Sequence, residues 1–199
     1  MLFDVSQSCP PLTDIPTQRM RARQRTGASA ATPGHGADRE AVIKLLNKAL
    51  AIGLFCMLRY IHHYFMAAGI HAAPVAAEFL RHANEEMEHA DRIAERIVQL
   101  RGEPDFSPEG LAERSRAEDV RGDSLKDVIR EDLMAERIAI ESYRQMIDYL
   151  TGRDATTRRL LKEILASEEE HAEGLSSLLD GLGWVDENDQ AQVFHRSQV

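Results

Sequence analysis

EEMEHAD, residues 85–91, and SEEEHAE, residues 167–173, decide how this chain is read. Each sets a glutamate three residues ahead of a histidine, Glu86 before His89 and Glu168 before His171. On an α-helix that spacing brings carboxylate and imidazole to one face, where both can close on the same cation. With 8 histidines and 33 acidic residues in the chain, a single Glu-x-x-His spacing arises readily by chance. The weight lies in the surroundings, because both copies fall near the middle of long stretches whose apolar residues keep helical spacing.

Four such stretches follow one another. The first runs from about Asp38, a suitable N-cap, to Ala68 before Gly69, and the second from Pro74 to Arg101 before Gly102. The third runs from Ser124 to Leu150, and the fourth from beyond Asp154 to Gly181 or Gly183. The links at 69–73 and 151–154 are short enough to make each pair an antiparallel hairpin. Between the hairpins lie the 21 residues GEPDFSPEGLAERSRAEDVRG, 102–122, with two prolines and three glycines. Extended chain covers ~3.3 Å per residue, so this stretch can run the whole length of a bundle. The expected fold class is all-α, a ferritin-like four-helix bundle of two hairpins joined by a long crossover.

A bundle core draws on one seam of each helix. The third helix supplies Ile129, Leu133, Glu136, Ile140, Tyr143 and Ile147, and the fourth supplies Leu161, Ile164, Glu168, His171 and Leu175. The second supplies Val75, Phe79, His82, Glu86, His89 and Ile93. Polar groups interrupt all three seams near the middle. Buried carboxylates without partners are expensive, so Glu86, Glu136 and Glu168, with His89 and His171, need a neutralising charge that a bound cation would supply. Glu85, Glu88, Glu169, Glu170 and Glu173 lie off the seams and read as a solvated acidic face. The distance from Glu136 to His171, counted back from His89, reaches Gly53 and Leu54, where an internal repeat would place a glutamate and the sequence has none.

At 199 residues and 22.4 kDa the chain suffices for one domain with a complete core. The expected boundaries are a disordered tail over 1–38, the bundle over 39–182 and a C-terminal tail over 183–199. No run of uninterrupted apolar residues is long enough for a membrane span, and the N-terminus lacks the pattern of a secretory signal. With only Cys9 and Cys56, a reducing, cytoplasmic location is expected. The net charge is −9 and repels nucleic acid and anionic lipid. The cluster Arg19, Arg21, Arg23 and Arg25 in the tail makes a weak case for DNA contact and reads first as a solvated extension. His35, His62, His71 and His195 have no ligand-like spacing.

Over roughly residues 40–182 the chain resembles the ferritin-like superfamily, specifically its bacterioferritin and Dps-like branch. LNKAL, EEMEHADRIAERI with the following LRGEPDF, EDLMAERIAIESYRQMI and ILASEEEHAEGL carry the resemblance. It implies a di-iron centre that oxidises ferrous iron with oxygen or peroxide, and a hollow homo-oligomeric shell that stores the product. It also assigns Glu86 and His89, Glu136, and Glu168 and His171 as metal ligands, with Glu86 and Glu168 bridging. The family's first-helix glutamate falls on Gly53. Glu40 cannot replace it, since 13 residues of helix separate the two by ~20 Å. Three carboxylates around two divalent ions leave an excess positive charge, so the position next to His89 is expected to bind worse.

Cys56 shares the Gly53 seam and could restore that charge as a thiolate, although a buried packing residue is the commoner role. Tyr60 matches a tyrosine beside the metal centre. Met87 matches the methionine that holds haem between bacterioferritin subunits, and a plain interface methionine is the commoner reading. Iron is the expected metal, with manganese as the alternative. Residues 183–199 lack a strong amphipathic fifth helix, so twelve subunits are expected rather than 24. A peroxide-consuming, catalase-like di-iron or di-manganese oxidoreductase and a non-catalytic shell protein with a decayed site are the competing functions.

Overall fold

The computed structural model describes residues 13–24, 38–67, 72–115 and 124–196, with side chains in the last helix described to Leu182. Helices α1 (Ile15–Gln24), α2 (Arg39–Met66), α3 (Ala72–Gln99), α4 (Leu111–Ser115), α5 (Leu125–Leu150) and α6 (Ala155–Arg196) follow in order, and no strand occurs among the described residues. Cys9, Arg25, His35 and His71 lie outside the described residues, and so does the side chain of His195.

α2 packs on α3 and α5 on α6, and the two hairpins meet through α3 with α6 and α2 with α5. The interior is built from the expected seams: Phe79, Ile93, Ile129, Tyr143, Leu161 and Ile164 are fully buried, and Leu46 and Leu50 of α2 complete the layer. By length and composition alone α2 could cross a membrane. Here its apolar residues Val42, Leu46, Ala49, Leu50 and Leu54 are buried in the bundle.

Side chains fix the helix starts. Asp38 accepts a hydrogen bond from the Glu40 amide at 3.0 Å, and Ser124 Oγ accepts one from the Asp127 amide at 3.2 Å. The end of α3 departs from the reading that glycine stops the helix. Arg101, not Gly102, takes the left-handed conformation with φ 59°, and the Gly102 amide donates back to Ile97 O at 2.9 Å. Gly102 serves closeness instead, since a Cβ there would come within 2.8 Å of the Ile43 side chain. The crossover is then tied to α2 by Asn47, whose amide donates to Glu103 O at 3.1 Å while its oxygen accepts from the Asp105 amide at 2.8 Å. The short α4 also packs on α2.

Two expected boundaries differ. The stretch taken as a disordered tail contains α1, a ten-residue helix. α6 runs on to Arg196 rather than stopping at Gly181 or Gly183. A glycine inside a helix costs only about 1 kcal/mol, and no proline follows to enforce a stop.

A buried polar network joins the hairpins at the far end of α3. Asp154, the residue before α6, accepts from the Thr157 amide at 3.0 Å and from Arg96 at 3.1 Å, while Arg96 Nε donates to Thr157 Oγ1 at 2.9 Å. Burial raises the Asp154 carboxyl, but its Thr157 and Arg96 partners more than offset this and hold it below the usual range. Its folded pKa therefore lies below the unfolded one, so its stabilisation is present above about pH 4 and is lost as pH falls through the folded value. Asp154→Ala leaves Arg96 buried without its counter-charge and is expected to cost about 3 kcal/mol in urea unfolding at pH 7. Asp154→Asn is expected to flatten the acid side of the stability profile. An unchanged midpoint for Asp154→Ala would show that the network adds nothing.

Candidate metal centre

Three helices deliver their polar seam residues to one level of the core. Glu86 comes from α3, Glu136 from α5, and Glu168 and His171 from α6, all at most 1% exposed. Each offers a ligand atom, and the four atoms lie within 4.8 Å of one another. His171 Nδ1 is the hub, 3.5 Å from Glu136 Oε1, 3.5 Å from Glu168 Oε2 and 3.8 Å from Glu86 Oε1. Donors gathered around one ion at about 2.1 Å stand roughly 3–4 Å apart, so this cluster has the right size.

The hydrogen-bond inventory points the same way. Both oxygens of Glu86, both of Glu168, Glu136 Oε2, His89 Nδ1 and His171 Nδ1 are buried and have no hydrogen-bond partner among the described residues. So many orphaned acceptors at one level of a core fit a cation and no obvious protein partner. With no cation between them the carboxylates resist ionising together. Burial, then Glu168 and Glu136, pushes Glu86 well above the usual carboxylate range, while burial and Glu168 raise Glu136 to about 7. Burial alone would lower His171, but the neighbouring carboxylates of Glu136 and Glu168 hold it at about 11.

His89 stands to one side, 3.3 Å from Glu168 Oε1 and 3.6 Å from Glu86 Oε2. Gly53 faces the same spot, since a Cβ built on it would lie 3.4 Å from that Glu86 oxygen. A side chain at position 53 would therefore project beside Glu86 and His89. Cys56 is buried nearby, and burial, then the carboxylates of Glu86, Glu136 and Glu168, pushes its thiol well up. The thiolate considered as a substitute charge is thus disfavoured by the acidic groups it would assist.

Around the cluster lie residues the seam alone did not reveal as partners. Tyr60 OH donates to Glu136 Oε1. One turn before Glu136, Asp132 accepts from Arg59 Nε at 2.8 Å and pairs with His63 Nδ1 at 2.9 Å. The Tyr143 hydroxyl is buried without a partner among the described residues, and burial, then Glu168, pushes it well up. Glu85, expected on a solvated face, instead accepts the Nε2 proton of His171 at 2.6 Å. A carboxylate can only accept, so this bond claims the Nε2 proton, and once the ring gives up its second proton Nδ1 is the nitrogen left open toward the cluster. His82, read as an ordinary seam residue, is fully buried and stacks on His171 with centroids 4.1 Å apart. Burial, then His171, lowers it to about 4. Met87 is 43% exposed on α3, outside the cluster.

The model of the ferritin-like domain matches residues 43–183. The chain belongs to the ferritin-like family, in its bacterioferritin branch. A bacterioferritin from Desulfovibrio desulfuricans is 32% identical over 155 residues, 75% of this chain and 83% of its own. Among solved structures, the bacterioferritin-related protein of Bacteroides fragilis, described as a dodecameric thioferritin, superposes on this ferritin-like chain with a TM-score of 0.71 at 31% identity. It covers 76% of this chain and 91% of its own. Rhodobacter capsulatus bacterioferritin, described with a metal-free dinuclear site and haem iron, gives a TM-score of 0.63 at 27% identity, covering 73% and 87%.

Because its folded pKa lies above the unfolded one, Glu86 opposes folding increasingly as pH rises past about 4. Metal-free Glu86→Gln is therefore expected to be more stable than the parent at pH 7, by about 1–2 kcal/mol in thermal unfolding. The parent is expected to gain stability when Co(II) or Fe(II) is added without air, and the variant to gain much less. A parent protein whose melting temperature ignores both ions would contradict a metal centre.

Proposed function

We propose that this protein takes up ferrous iron at the α3–α5–α6 centre, oxidises it with oxygen or hydrogen peroxide, and stores the ferric product inside a shell of like subunits. The orphaned carboxylate oxygens converging on His171 Nδ1 carry this reading. The iron is substrate and cargo. Glu86 and Glu168 bridge, Glu136 and His171 complete the tighter position, and His89 serves the weaker one beside Gly53. Glu85 holds the His171 tautomer, and Tyr60 steadies Glu136 by donating to it. Each ferrous ion yields one electron and peroxide accepts two, so a paired site suits that oxidant, and loss of the first-helix carboxylate slows the paired step more than it weakens binding.

A dodecameric relative supports twelve subunits, and no separate helix follows α6 among the described residues. Met87 lies on the exposed side of α3, and a subunit-interface contact suits it better than haem.

Iron titration without air, followed by oxygen or peroxide and read optically, tests the proposal together with the mass in solution. Saturable binding and oxidation above the protein-free rate are expected. Their absence would leave a decayed shell protein, and peroxide removal without mineral would favour a catalase-like enzyme over storage. Gly53→Glu is expected to raise tight iron binding toward two per subunit and to speed oxidation. Unchanged stoichiometry would mean that Gly53 does not stand at the ligand position.

A further inference from the structure

We propose that His82 is a further donor to this centre, ligating the ion held between Glu136 and His171. The inference rests on the iron-centre reading above. His82 lies one turn before Glu86 on α3, and its ring is fully buried. With Glu136 and His171 it forms a second trio whose ligand atoms lie within 4.8 Å of one another. Its Nδ1 is buried and has no hydrogen-bond partner among the described residues, as is true of His171 Nδ1.

The outer nitrogens of the two rings are matched as well. His171 Nε2 meets Glu85 Oε2 at 2.6 Å, and His82 Nε2 faces Glu78 Oε1 at 3.3 Å. Arg81 grips both carboxylates, donating to Glu78 at 2.6 Å and to Glu85 at 2.8 Å. Its Nη2 also donates to His82 Nε2 at 2.8 Å, so ligation through Nδ1 requires His82 to exchange that bond for one donated to Glu78. Gly174 of α6 makes room for the arrangement, since a Cβ there would come within 3.2 Å of Glu78 Oε1. His171 is backed by an outer carboxylate and presents a partnerless inner nitrogen, the arrangement by which proteins orient histidine ligands. His82 also presents a partnerless Nδ1, and because its ring stacks on His171 with centroids 4.1 Å apart, the two rings must splay to share one ion. Tyr60 sets the ring edge-on from the other side, with centroids 5.0 Å apart.

The consequence is a centre whose position between Glu136 and His171 gains an imidazole, while the position beside His89 and Gly53 does not. Exchanging oxygen for nitrogen favours Fe(II) and Co(II) over Mn(II).

The test is an anaerobic Co(II) titration of the full-length protein, followed by visible absorption, with His82→Gln and His82→Phe beside the parent. Helical circular dichroism reports whether each variant folds. Loss of even an outer partner of a metal ligand costs about 10–100-fold in affinity, so both variants are expected to weaken the tighter Co(II) position by about 100-fold and to alter its spectrum. Mn(II) affinity is expected to fall less. Folded variants with the parent's Co(II) affinity and spectrum would overturn the role of His82. A parent that binds no Co(II) would instead overturn the metal centre itself. If neither variant folds, X-ray absorption of the parent loaded with one Co(II) per subunit decides: two imidazoles per ion are expected, and one overturns the inference.

Discussion

Three carboxyl groups in the dry middle of a helical bundle set the terms for everything around them. Carboxylates at this depth cannot ionise together, so the site must import positive charge, keep protons, or give up folding stability. The chain answers with imidazoles rather than with lysine or arginine. The guanidiniums it does bury, Arg59 and Arg96, are spent on Asp132 and Asp154. An imidazole offers a neutral lone pair and can yield its place to a cation, whereas a guanidinium always remains charged. The core therefore keeps an opening for a metal that a permanent salt bridge would have closed.

The two hairpins contribute unequally. α5 and α6 supply Glu136, Glu168 and His171, while the first hairpin supplies donors only from α3. α2 reaches the centre through the Tyr60 hydroxyl on Glu136, and through Arg59 and His63 on Asp132, one turn earlier in α5. These contacts brace α5 beside the cluster.

Much of this was legible in the sequence. The seam residues of α3, α5 and α6 were readable because helical periodicity and burial coincide in a bundle, and the polar interruptions stood out against it. The hairpins and crossover followed from link lengths. Less readable were features set by side-chain reach or by a neighbouring helix. Glu85 lies off the seam by register, yet a flexible side chain lets its carboxylate meet His171 across the helix gap. His82 sits on the seam and looks like core, and only its partnerless Nδ1 beside Glu136 and His171 distinguishes it. Gly102 looks like a helix stop, but proximity of Ile43 is what demands it, and that proximity belongs to tertiary structure. The extent of α6 was misjudged because two glycines weaken a helix without breaking it.

The apolarity of α2 has a meaning for biosynthesis. Before its hairpin partner has left the ribosome, this 28-residue helix displays a surface that hydrocarbon would accept as readily as the protein interior does. Covering that surface falls to α3, just beyond a short link, whose apolar stripe packs against it.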